Sequence, residues 1–145
     1  MKRQYYLDLA RQGHVTPVGT DLILHEEKEP EKVLLHGEQL GRVVEKAARR
    51  YQTPLAIPLM DLRIEKEALL CALDIPTEEI EGYHFYEVSD EILEKAKNRL
   101  PEITTPRMAA TCEALRYIGS MGDLLPIGMI IGPFSLVTKL LSEPI

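Results

Sequence analysis

The stretch LAIPLM, residues 55–60, constrains the fold of this chain more than any other. It contains no polar residue, so as a strand it has no side suited to water. Such a strand is covered on both faces, as strands of a parallel sheet are. Asp61 stops the run, and an acidic helix pattern begins at once with Glu65 and Glu67. Residues 125–131 form a second apolar run, ended by Gly132-Pro133. HVTPVGTDLIL, residues 14–24, reads as a further strand that breaks near Gly19. Pro58 is awkward inside a central strand because it offers no N–H to the ladder. A bulge there would accommodate it and re-aim the residues that follow.

Amphipathic helix patterns lie between these runs. Residues 3–12 place Tyr5, Tyr6, Leu9 and Ala10 on one side, with Gly13 as the stop. Leu40, Val43, Val44, Ala47, Ala48 and Tyr51 follow helical spacing. Residues 64–73 and 90–99 read as helices, the second capped by Ser89. Thr105-Pro106 starts another, with Met108, Cys112, Leu115 and Gly119 expected along one face. A last helix covers 134–141. Residues 25–37 and 74–90 read as connections, the latter anchored by Tyr83, Phe85 and Tyr86. Strands alternating with helices predict right-handed βαβ crossovers and a parallel sheet. Three strands leave apolar edges unpaired. The chain is therefore expected to be the first part of something larger, or one member of an assembly.

The net charge of −6 argues against nucleic acid or an anionic membrane as the main partner, since both need a basic face. The one dense basic cluster, KAARR at 46–50, reads as solvated helix surface. The N-terminus lacks the apolar core of a signal peptide, and no apolar stretch reaches the roughly 18 residues of a membrane span. Two cysteines far apart, in no CxxC pattern, fit a reducing, cytoplasmic setting. Cys71 and Cys112 read as buried structural residues.

PLMDLRIEKEAL, residues 58–69, resembles the second-strand motif of the uroporphyrinogen decarboxylase and corrinoid-dependent methyltransferase superfamily. The match falls on Asp61, Ile64, Glu65, Glu67, Ala68 and Leu69. TPRMAATCEALRYI (105–118) resembles the helix before the third strand, and IGMIIGPFSLVTKLL (127–141) that strand and its Gly-Pro-Phe turn. HVTPVGTDLI stands where the first strand belongs. The resemblance implies that residues 1–145 are the N-terminal part of a (β/α)₈ TIM barrel, its first three βα units. Active sites of such barrels lie at the C-terminal ends of the strands.

On that resemblance Asp61 stands at the barrel mouth; in the decarboxylases the matching aspartate holds the pyrrole nitrogens of the tetrapyrrole. As a plain sequence feature it is equally an N-terminal cap for Arg63 or Ile64. Glu65 and Glu67 do not face each other on a helix and read as first-turn carboxylates favoured by the dipole, although Glu65 can reach back to the mouth. After the first strand the decarboxylases carry a pair of arginines that clamp substrate carboxylates. Here GTDLILHEE offers Asp21, His25 and Glu26 instead, which departs from decarboxylase chemistry. His25 is a general acid/base, a metal ligand or a plain surface histidine, and Asp21 would line the same mouth. His84-Phe85 lies in a loop that either holds substrate or is anchored by its aromatics. Gly132 and Ser135 border a turn whose N–H groups could meet an anion, or which serves the turn alone.

The resemblance thus implies part of a methyltransferase that moves a methyl group to or from a corrinoid cobalt held on a partner protein. Asp61 and His25 would be its catalytic residues, and Asp21, Asp61, Gly132 and Ser135 its cofactor-binding ones. A small molecule would be the methyl donor or acceptor, and zinc would be bound beyond residue 145. The alternative is a non-catalytic corrinoid- or tetrapyrrole-binding module formed by self-association. Uroporphyrinogen decarboxylase is the third reading.

Overall fold

The computed structural model describes residues 3–14 and 19–143. Its elements in chain order are α1 (Arg3–Arg11), α2 (Thr20–Leu24), α3 (Pro30–Val33), α4 (Gly37–Arg50), β1 (Leu55–Ala56), α5 (Ile64–Ala72), α6 (Asp90–Arg99), a 3₁₀ turn (Leu100–Glu102), α7 (Pro106–Gly119), β2 (Leu125–Pro126) and α8 (Pro133–Leu140). Helix makes up 55 % of the structure, and β1 and β2 form one parallel pair. This overturns the expected partial (β/α)₈ barrel: the described residues do not contain three βα units, and their strand content is not that of a barrel.

Backbone chemistry explains both departures. In the β1–β2 ladder, Leu125 N–H donates to the Pro54 carbonyl at 2.7 Å and Ile127 N–H to Ala56 at 3.0 Å. With Leu55 opposite Leu125, the next bond would run from residue 58 to residue 127. Residue 58 is proline and has no N–H, so the ladder stops. The apolar run continues to Met60 without being strand. The expected first strand fails for another reason. Residues 15–18 lie outside the described residues, and Thr20–Leu24 is helical. Thr20, Ile23 and Leu24 are buried while Leu22 is exposed, which is helical spacing. The Thr20 hydroxyl donates to the buried Ile57 carbonyl at 2.8 Å, on the far side of β1 from β2.

The chain divides into two compact units, Met1–Leu59 with Ala109–Met129 and Met60–Met108 with Ile130–Ile145. In the first, Leu40, Val43 and Ala47 of α4 pack with Ile23, Leu24, Val33 and Ala114. Val44 and Ala48, on the next stripe of α4, pack with Ala56, Ile118 and Leu124. The α7 face that is buried is therefore Ala110, Ala114 and Ile118, not the Met108, Cys112, Leu115 and Gly119 face read from the sequence. Small residues let α7 lie close to α4. A Cβ on Gly41 would stand 2.6 Å from Cδ1 of Tyr117, and one on Gly37 would collide with Glu113. Tyr117 O–H completes the contact by donating to Glu45 at 3.0 Å. The basic end of α4 is exposed but paired: Arg49 with Asp123, Arg50 with Glu26, Lys46 with Glu26 and Glu27.

In the second unit Leu70, Leu73, Ile80, Phe85 and Leu140 form the core. Helix α5 ends in a left-handed residue, Asp74, with Ile75 N–H donating to Leu70 and Asp74 N–H to Cys71. The Asp74 carboxylate pairs with Arg99 and Lys95 of α6, and these hydrogen bonds hold its pKa down at about 2. Ser89 caps α6 as expected, accepting the Ile92 N–H at 3.3 Å. Phe85 N–H donates to Leu140 and Ser142 N–H returns to the Phe85 carbonyl, which fixes the 74–90 connection to the end of α8. Tyr83 stacks edge-on against Phe85, whereas Tyr86 is fully open to solvent and anchors nothing.

Gly41→Ala is expected to lower stability by about 1–3 kcal/mol, because the Tyr117 ring base has no room to move. Urea unfolding measures this. Gly82→Ala, whose Cβ would enter open space, is the control and should change stability by less than ~0.5 kcal/mol.

Candidate functional site

The second unit holds a sheltered cluster of charge around the start of α5. Asp61 folds back on its own chain: Oδ1 accepts the Arg63 N–H at 3.0 Å. Such aspartate turns are favoured just ahead of a helix. Oδ2 accepts from two nitrogens of Arg107, Nε at 2.8 Å and Nη2. The side chains of this pair are only 12 % and 18 % exposed. Arg107 lies in the first turn of α7, where a cation opposes the helix dipole. The Asp61 carboxylate removes that penalty by pairing with it at the same point.

Glu67 lies beside this pair. Burial raises its pKa, Arg107 acts against the rise, Asp61 adds to it, and a hydrogen bond with Thr105 opposes it. Thr105 is itself buried and caps α7 by accepting the Met108 N–H at 3.3 Å. Glu65 faces elsewhere: its Oε1 accepts the Ile131 N–H at 3.0 Å, tying α5 to the segment that leads into α8. Lys66 is 7 % exposed and donates to the Glu81 carbonyl at 3.1 Å. Burial lowers its pKa, and Lys139 adds to the effect. Arg63 reaches the Glu81 carboxylate at 3.1 Å.

The residues singled out from sequence fall in different places. Asp61, Gly132 and Ser135 belong to the second unit, Asp21 and His25 to the first. Asp61 makes the capping bond to Arg63 and also joins the Arg107 cluster. Asp21 and His25 form an exposed pair on α2, with His25 Nδ1 2.7 Å from the Asp21 carbonyl and 3.6 Å from its carboxylate. Gly132 precedes α8 and its carbonyl accepts the Leu136 N–H at 2.9 Å. Ser135 is exposed, and its carbonyl accepts the Thr138 hydroxyl at 2.9 Å.

The two cysteines correct the reading of both as buried: Cys71 is half-buried and Cys112 exposed. Small α7 residues take the inner positions, which leaves Cys112 outside. Burial, with Glu67 adding, raises the Cys71 pKa, so this thiol stays protonated. Among the described residues no group of three or more His, Cys, Asp and Glu could hold a metal ion, and no helix is long and apolar enough to cross a membrane.

Arg107 and Lys66 were not identified from sequence. Arg107 carried a signal, a cation at a helix start with no acid beside it in the chain. Lys66 carried none, since a lysine among glutamates reads as surface. No family model matches the chain, and no curated protein or solved structure matches it.

Arg107→Met should destabilise the protein by about 3 kcal/mol, because it leaves Asp61 sheltered without its cation. Adding Asp61→Asn should recover much of that loss, and a double-mutant cycle in urea reads both. Glu67 yields a pH prediction. A carboxyl whose folded pKa is raised above its ordinary 4.5 binds its proton more tightly when folded. Its contribution is therefore fullest below pH 4.5 and is lost as pH rises through the folded pKa. Glu67→Gln should gain stability relative to the parent as pH rises from 4.5 through the folded pKa of Glu67, measured as the difference in unfolding midpoint.

Proposed function

We propose that this chain takes part in methyl transfer to or from the cobalt of a corrinoid carried on a partner protein, with Asp61 positioning the reacting partner. The observation that carries the reading is the setting of Asp61. The acid that anchors the PLMDLRIEKEAL resemblance is sheltered and aimed by three donors, from Arg63 and Arg107. A carboxylate has about four acceptor sites, so one direction remains for a ligand N–H. Corrin rings carry amide side chains, and an amide N–H suits that direction.

When bound, the corrinoid would supply the metal that carries the methyl group. The residues of this chain would do the rest. Asp61 accepts a donor from the ligand and fixes its orientation, and Arg107 pairs with the Asp61 carboxylate and holds it in place. Glu67, whose pKa is raised by burial, is the group of the cluster suited to take up or release a proton beside the ligand. The zinc implied by the resemblance has no ligand set among the described residues, and no step involves it.

A binding module without catalysis uses the same Asp61 direction, with self-association covering the exposed apolar residues. The decarboxylase reading has less support. Its polycarboxylate substrate needs available cations, and Arg107 spends its charge on Asp61. The cytoplasm is the proposed compartment.

Titration of the chain with methylcobalamin, followed by cobalt absorbance, tests the proposal. A saturable spectral change that Asp61→Asn abolishes is the expected result. Loss of the methyl–cobalt spectrum when a thiol acceptor is added would assign transfer, and binding alone would assign the module. No spectral change in the parent protein overturns both readings.

A further inference from the structure

The two oxygens of the Glu65 carboxylate differ in their surroundings. Oε1 accepts the Ile131 N–H. Oε2 is shielded from solvent and has no hydrogen-bond partner, the one buried side-chain oxygen or nitrogen in that state among the described residues. A carboxylate takes about four donors, and one left unmet away from water costs about 1–3 kcal/mol, more where the group is charged. Turning the carboxylate over does not help, because it exchanges the oxygens and still leaves one donor between them. The cations near the start of α5 have other partners: Arg107 binds Asp61, Arg63 binds Glu81, and Lys66 donates to the Glu81 carbonyl. Glu65 Oε2 therefore lacks a donor, and a cationic N–H group supplies one together with a balancing charge.

We propose that Glu65 anchors a binding site for a small organic ammonium ion, whose N–H donates to Oε2. Ile130, the residue before the Ile131 donor, is 87 % exposed, and Met60 is 66 % exposed. Ile130 is thus an exposed apolar side chain next in the chain to the Ile131 donor, and it can cover an alkyl group. The proposal needs neither a corrinoid nor a methyl group and stands apart from the reading of Asp61.

Amide NMR of the intact chain tests it, with the Ile131 N–H as reporter because it donates to the same carboxylate. Ethylammonium chloride is the probe. Tetramethylammonium chloride at equal ionic strength is the control, since it has the charge but no N–H. The expected result is a saturable shift of the Ile131 resonance by ethylammonium and a response about tenfold weaker to the control. Glu65→Gln keeps an oxygen for Ile131 while removing the charge, and it should abolish the saturable shift. The comparison of the two salts on the parent protein stands even if that variant does not fold. Equal responses to the two salts, a shift that never saturates, or undiminished binding in Glu65→Gln overturns the proposal.

Discussion

The absent N–H of Pro58 limits the sheet, and much of the first unit follows from that limit. A parallel pair of two residues each contributes few hydrogen bonds and little buried surface. It does not stand alone. Its outer side receives the Thr20 hydroxyl at the Ile57 carbonyl, so a helix residue satisfies a group that a third strand would otherwise take. On β2, the N–H groups of residues 125 and 127 turn toward β1, which leaves residue 126 facing outward. That residue is also proline, so this edge offers no N–H there to an invading strand. The same residue type thus ends the ladder on one strand and blunts the edge of the other.

With so small a sheet, helix contact must supply the core. Helix α4 does this with two adjoining stripes. Leu40, Val43 and Ala47 face one cluster, Val44 and Ala48 the other, and each cluster includes a residue of α7. Two apolar stripes on one helix leave little room for large side chains where α7 crosses. Gly37 and Gly41 are one turn apart at that crossing, so Glu113 and Tyr117 rest against backbone. Ion pairs of Arg49 and Arg50 then join the end of α4 to the segments before β2 and after α2. They are exposed and contribute orientation more than stability.

The sequence revealed the helices well and the strands poorly, for a definite reason. Helical spacing depends on residues within one segment, and α4, α5, α6 and α8 fall close to where spacing, Ser89 and the prolines place them. Whether an apolar run is strand depends on a partner's N–H groups, and those are not visible in the run. Pro58 was the warning, and its effect was larger than a bulge. TDLIL shows the opposite error: a β-branched, apolar run read as strand, whose buried residues have helical spacing. In the site, Asp61 was legible because it ends a run, and its local bond to Arg63 was one of the two roles its position suggested. Arg107 is remote in sequence, and only tertiary structure could supply its partner.

The acids of the second unit differ in the donors that meet them. Asp61 and Arg107 are sheltered together, and three donors meet two oxygens. Such a pair is costly to break and gains nothing from further donors except in its one open direction. Burial raises the Glu67 pKa, with Arg107 and Thr105 acting against the rise. Glu65 differs in its donors: one backbone N–H meets one oxygen, and the other oxygen has no donor. Three carboxylates around one helical start therefore have three different surroundings: a paired cation at Asp61, burial beside that pair at Glu67, and a single backbone donor at Glu65. The difference comes from tertiary surroundings, burial beside the Asp61–Arg107 pair for Glu67 and the Ile131 N–H for Glu65, since residue type and helix position are nearly the same for the two.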